Sequence, residues 1–150
     1  MMDTLFEDNI GRNLKTLNNL VEKKLNNDLR SLGVSLTGTQ MSVMMWLHNN
    51  QGVPLTQKQI ETELKLSHPT TRGINKRLVE AGLIETQVVA EDKRQIQLQL
   101  TPKGRDLLDS YSHQLKMKVD AVEAKMLTGI DANTQTILLS SIRTMIRNME

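Results

Sequence analysis

The stretch Ser67–Thr101 reads SHPTTRGINKRLVEAGLIETQVVAEDKRQIQLQLT. Ser67 is a favoured N-cap residue, and Pro69 suits the first turn of a helix, where its missing N–H costs little. Ile74, Leu78 and Ala81 follow at i, i+4 and i+7, and Gly82 supplies a stop, which predicts a helix over 67–82. From Gln95 to Leu100 polar and apolar residues alternate with the period of a half-buried strand. With the extended run before the polar turn Ala90–Arg94, this makes a two-stranded ribbon over 84–100. A helix followed by such a ribbon predicts a winged helix-turn-helix.

The segments on either side agree with that reading. Upstream, Thr37 with Gln40 and Thr56 with Gln59 form two capping-box signatures. The second opens a short helix ending near Lys65-Leu66, so two short helices lie about three residues apart, the helix-turn-helix spacing. Further upstream, Ile10, Leu14, Leu17, Val21, Leu25 and Leu29 recur at helical steps, predicting a helix of roughly six turns that ends before Gly33. Its apolar stripe could face an ordinary core or a partner chain. Downstream, Thr101 and Pro102 open a long helix carrying Leu107, Leu108, Tyr111, Leu115, Val119, Val122 and Met126. Gly129 interrupts it, and Asp131 caps a last helix.

Composition sets the outer bounds. At 150 residues, one domain is expected. With nine Met against one each of Trp, Tyr and Phe, the core must be aliphatic, which favours helical packing. The net charge of +2 permits nucleic-acid binding without demanding it, so charge distribution has to carry the argument. The chain has no cysteine, which excludes disulfides and thiol redox sensing. Asp3, Glu7 and Asp8 crowd the start, unlike a signal peptide. No apolar run approaches the ~20 residues that span a bilayer, so a cytoplasmic protein is expected.

With Ile74 as the inward direction, a step of about 100° per residue brings Leu78, Ala81 and Thr70 close to the core side. Arg72 and Lys76 then point outward together, flanked by His68, Pro69 and Asn75, with Arg77 nearer the boundary. In a major groove, Arg and Asn have the donor geometry for base edges, while Lys and hydroxyls hold phosphates. The ribbon tip presents Lys93 and Arg94 beside Glu91 and Asp92. Such a tip can reach a minor groove, where Arg is favoured, and Asp92 opposes DNA unless it orients a neighbouring Arg. A solvated helix face and a solubilising turn are the alternatives for either feature taken alone.

Three motifs together resemble the MarR family of bacterial transcriptional regulators. Asp92-Lys93-Arg94, followed by Leu100-Thr101 and Gly104, is similar to the family's wing motif. Leu78-Val79-Glu80-Ala81-Gly82-Leu83-Ile84 resembles the end of its recognition helix and first wing strand, and Leu36-Thr37-Gly38-Thr39-Gln40 the entry to its second helix. The resemblance implies one mainly α domain over 1–150, with a winged module at 36–104 and dimerisation helices at 1–35 and 105–150. It implies a homodimeric repressor gripping a palindromic operator in double-stranded DNA. Arg94 would be the minor-groove arginine and Asp92 its structural partner. Ser67, Thr70, Thr71, Arg72 and Lys76 would fall in the major-groove segment. His68-Pro69 departs from the family pattern and leaves the first recognition turn less defined.

The resemblance also implies release by an effector, here a small apolar or phenolic ligand, in a pocket near Met41, Met44, Met45 and Trp46. His48, His68 and His113 are far apart in sequence, so no metal or other cofactor is expected. The competing reading is a winged-helix module that binds protein without specific DNA binding, against which Arg72, Lys76 and Arg94 speak. An enzyme finds no support: there is no nucleophile–base constellation and no Gly-rich phosphate loop.

Overall fold

A computed structural model describes residues 7–50 and 53–150. Asp3 of the acidic start lies outside them, as do Gln51 and Gly52. In chain order the elements are α1 (Ile10–Ser31), α2 (Gly38–Asn49), β1 (Leu55–Thr56), α3 (Gln57–Leu64), α4 (His68–Glu80), β2 (Ile84–Val88), β3 (Ile96–Leu100), α5 (Pro102–Met126) and α6 (Ala132–Met149).

Local hydrogen bonds explain where the helices begin. Thr37 and Thr56 each accept from the backbone of the Gln three residues on, and each Gln side chain returns to the cap backbone, closing both capping boxes. Ser67, Thr101 and Asp131 cap α4, α5 and α6 by the one-way bond alone, their side chains accepting from the backbone N–H of Thr70, Gly104 and Thr134. At Asp131 the Thr134 backbone N–H, and then its side chain, hold the carboxyl below the usual carboxylate range. Helix α4 ends at Gly82, whose φ of +72° is the left-handed conformation that lets Leu83 N–H turn back to the Leu78 carbonyl at 3.0 Å.

The expected ribbon forms, with one addition. Strand β2 runs antiparallel to β3, Ile84 opposite Leu100 and Val88 opposite Ile96. The two residues of β1 pair on the other side of β3, Leu55 opposite Leu98, so the sheet order is β1-β3-β2. A strand this short has no period to read, and only its non-local partner defines it. The core beneath the sheet joins Val43, Met44, Ile60, Leu78, Leu98 and Leu108, all essentially buried.

Helix α4 sits on that core at a different rotation from the Ile74-centred wheel. Thr71, Ile74, Asn75 and Leu78 are buried, whereas Thr70 and Ala81 are exposed. The inward direction is turned by about 50°, because the neighbouring α3 offers polar as well as apolar partners.

The C-terminal end of α4 is clamped by the start of α5. Thr101 N–H donates to the Leu83 carbonyl at 3.1 Å, Thr101 Oγ1 to the Gly82 carbonyl at 2.6 Å, and Lys103 Nζ to the Ala81 carbonyl at 2.8 Å. The approach is so close that a Cβ on Gly104 would lie 2.1 Å from the Leu83 oxygen. Outside this module, α6 buries none of its residues within the chain, and Ile10, Leu14, Leu17 and Leu20 of α1 are exposed. Among the described residues, no helix is long and apolar enough to cross a membrane.

Two glycine substitutions should therefore have opposite signs in urea unfolding. Gly104→Ala should lower stability by about 1–3 kcal/mol, because backbone rather than a flexible side chain blocks the methyl. Gly73→Ala, where the new Cβ meets nothing within 4 Å, should raise stability by about 0.5–1 kcal/mol, the ordinary Gly-to-Ala gain in a helix. An unchanged midpoint for Gly104→Ala would contradict the close approach.

Candidate nucleic-acid interface

Helix α4 is fastened to α3 by a short polar chain. His68 Nδ1 lies 2.7 Å from Glu61 Oε1 and 3.3 Å from Gln57 Nε2, which itself donates to Glu61 Oε1 at 3.2 Å. Gln57 Oε1 in turn accepts from Asn75 Nδ2 at 3.4 Å. Asn75 Oδ1 is buried without a partner. Thr71 Oγ1 donates to the Ser67 carbonyl at 3.0 Å. Asn75, expected beside the outward Arg72 and Lys76, and Thr71, expected in the major-groove segment, are instead buried in the seat of α4. His68 remains exposed at the N-terminal end but is engaged by Glu61. Gln57 and Glu61 were not anticipated; their only sequence signal is a spacing of one turn on α3.

Thr70, Arg72, Lys76 and Arg77 occupy the exposed side of the helix, with Ser67 at its entry. The α3–α4 turn itself passes through Lys65 at φ +53°, the one left-handed non-glycine among the described residues. Lys65 Nζ also forms an ion pair with the Glu150 carboxylate, tying the end of α6 to this turn.

The tip of the ribbon is built around Asp92. Val89 N–H donates to the Gln95 carbonyl at 3.1 Å, and Gln95 N–H to the Asp92 carbonyl at 2.9 Å. One carboxylate oxygen of Asp92 accepts from Arg94 N–H at 3.1 Å, and the other from Gln95 Nε2 at 3.4 Å. The Arg94 guanidinium lies 3.8 Å from the carboxylate, yet its side chain is 96% exposed. That pairing is worth little energetically. Asp92 thus acts on the backbone, holding the turn that projects Arg94, with Lys93 exposed beside it. Between α4 and the ribbon lies an open concavity of about 690 Å³, bordered by Pro69, Arg72, Lys76, Val79, Thr86 and Ile96. Two cationic side chains of α4 therefore border the concave face that α4 shares with the ribbon.

A second, larger cleft of about 970 Å³ lies between α1, α2 and α5, closed at one end by Leu64 and Leu66 near the α3–α4 turn. Met41 and Met45 line it. Met44 and Trp46 do not: Met44 points into the core, and Trp46 packs partly buried against that core. One helical turn separates Met41 from Met45 and puts both on one face, while the other two fall on different faces. At the rim of the cleft, the Asp120 carboxylate sits 2.6 Å from Lys116 and raises its ammonium above the ordinary value, by hydrogen bond first and charge second. Among the described residues, no three His, Asp or Glu side chains are grouped to hold a metal ion.

A MarR family model matches residues 34–95, which include the α2–α4 module and most of the ribbon. An uncharacterized HTH-type transcriptional regulator of Staphylococcus aureus is 36% identical over 84 residues, covering 56% of this chain and 58% of the relative. The chain thus aligns with little more than half the length of that relative. The structure of the S. aureus MepR–DNA complex superposes with a TM-score of 0.77 over 93% of this chain and 97% of the other, at 19% identity. A mutant MarR of E. coli complexed with operator DNA gives 0.76 over 94% and 97%, at 21% identity. At such identities the superpositions speak for the fold, which is shared along nearly the whole described chain. The MarR family match thus covers the central residues 34–95, and the winged-helix fold around it is the one those structures share.

Proposed function

We propose that this chain is a homodimeric, sequence-specific DNA-binding transcriptional regulator, a repressor of a palindromic operator that a small-molecule effector releases. The observation that carries the reading is the concave face shared by α4 and the ribbon. Arg72 and Lys76 on the helix and Arg94 on the projecting tip are cations placed to meet neighbouring grooves of one duplex. Thr70 and Arg77 add exposed donors to the helix, and Ser67 and Lys93 stand at the edges of the contact surface.

The dimer accounts for apolar surface that the single chain leaves uncovered. Ile137, Leu139 and Ile146 of α6 and Ile10, Leu17 and Leu20 of α1 are all exposed. Residues 1–35 and 105–150 would supply the dimer contacts, and 36–104 the DNA-binding module. A twofold axis through the helices sets two recognition helices against half-sites about one helical turn apart. The cleft between α1, α2 and α5 would take the effector, because it touches both the long helices and the module.

Fluorescence anisotropy against DNA fragments from the gene's own upstream region tests the reading. Arg72→Ala should cost about 1–3 kcal/mol on the operator and much less on unrelated DNA. Lys76→Ala should weaken both alike and reduce the slope of log affinity against log salt by about 1. Binding that ignores both sequence and salt would end the proposal.

Sedimentation should find a dimer for the parent chain. Leu139→Asp or Ile146→Asp should shift it toward monomer and lower operator affinity in parallel. A parent chain that sediments as a monomer at micromolar concentration would remove the dimer from the mechanism.

A further inference from the structure

The effector cleft carries a charge where an anionic ligand could not tolerate one. Its walls are largely apolar, formed by Leu25, Leu29, Met41, Met45, Leu115 and Val119. Six ionisable groups border it: Glu22, Asp28, His113, Lys116, Lys118 and Asp120. All but Asp28 are exposed or half-buried at the rim, where Lys116 and Asp120 already hold each other. Asp28 alone is buried, at 8% exposure.

A carboxylate in such surroundings is costly unless a counter-charge answers it. Lys24, one turn earlier, supplies part of the answer, its ammonium 2.9 Å from Asp28 Oδ1. The Lys24 side chain is itself 51% exposed, so it reaches the carboxylate from the solvent side and engages one oxygen. A phenolate or carboxylate entering the cleft would meet Asp28 at close range in a medium of low dielectric. A neutral molecule would remove water from Asp28 and return nothing. A hydrophobic body bearing one positive charge satisfies both the apolar walls and Asp28.

On the reading that this cleft holds the effector, we propose that its ligand class is the lipophilic monocation, and that Asp28 is the residue that selects it. Lys24 then acts as an internal competitor, occupying the carboxylate until the ligand arrives. This sets a cationic ligand in place of the small apolar or phenolic one that the family resemblance implies.

Calorimetric titration of the full chain with tetraphenylphosphonium and, separately, with salicylate tests the assignment. The phosphonium should saturate one site per chain and bind at least about tenfold tighter than salicylate. Asp28→Asn should weaken the phosphonium about tenfold and narrow its advantage over salicylate. Lys24→Met removes only a surface-reaching chain, so it should fold normally, and it should tighten the phosphonium by roughly threefold or more. A residue that merely supported the fold would not give these opposite signs.

Salicylate binding tighter than the phosphonium would overturn the charge class while leaving an effector in the cleft. Phosphonium binding indifferent to both substitutions would overturn the role of Asp28. If neither probe bound while operator binding persisted, the effector reading itself would fail, and the cation with it.

Discussion

Three carbonyl groups just beyond α4 tie the end of that helix to the start of α5. A helix C-terminus leaves its last carbonyls without intrahelical donors. Here Ala81, Gly82 and Leu83 offer theirs to Lys103 Nζ, Thr101 Oγ1 and Thr101 N–H, all from the start of α5. The register of the ribbon makes this unavoidable: with Ile84 opposite Leu100, residues 83 and 101 must be adjacent. Gly104 completes the joint, since only a residue without a side chain lets α5 pass the Leu83 carbonyl at that distance. The helix that would read DNA and the long helix that would build the dimer therefore share hydrogen bonds, with no linker between them.

A joint of this kind converts motion of one element into motion of the other. Helix α5 runs on from Pro102 for 25 residues, and Leu115 and Val119 on its way form one wall of the large cleft. Leu64 and Leu66 bring the α3–α4 turn to the same cleft, and Lys65 in that turn is ion-paired with Glu150 at the far end of α6. On the proposed reading, a ligand that wedged α5 away from α1 would act at both ends of α4, on the C-terminal joint through α5 and on the N-terminal turn through Leu66.

How far the sequence disclosed all this depended on the range of the interaction concerned. Caps at Thr37, Thr56, Ser67, Thr101 and Asp131 close within three residues, and each was readable from its own tetrapeptide. The alternation of Gln95–Leu100 likewise announced Leu98 and Leu100 as core residues. Failures came where a second element decided the outcome. Strand β1 exists only because β3 pairs with it. Met44 and Met45 are neighbours in sequence, but one faces the core and the other the cleft. Asn75 reads as an outward polar residue until α3 is seen to supply Gln57 beside it. Asp28 was invisible for the same reason: its burial comes from packing between helices far apart in sequence.

The polar seat of α4 bears on how accurately a recognition helix can be held. Ile74 and Leu78 anchor the helix by apolar contacts, which fall off slowly as one surface slides over another. Hydrogen bonds fall off steeply with distance and angle. The chain from His68 through Glu61 and Gln57 to Asn75 therefore resists a small rotation of α4 that the apolar contacts would tolerate. This rigidity has an energetic cost, because the buried Asn75 Oδ1 lacks a donor, a situation typically worth about 1–3 kcal/mol. An apolar residue at position 75 would avoid the penalty and give up the angular restraint. For a helix proposed to bring Arg72 and Lys76 to fixed positions along a duplex, orientation is the property that matters, and the polar seat supplies it.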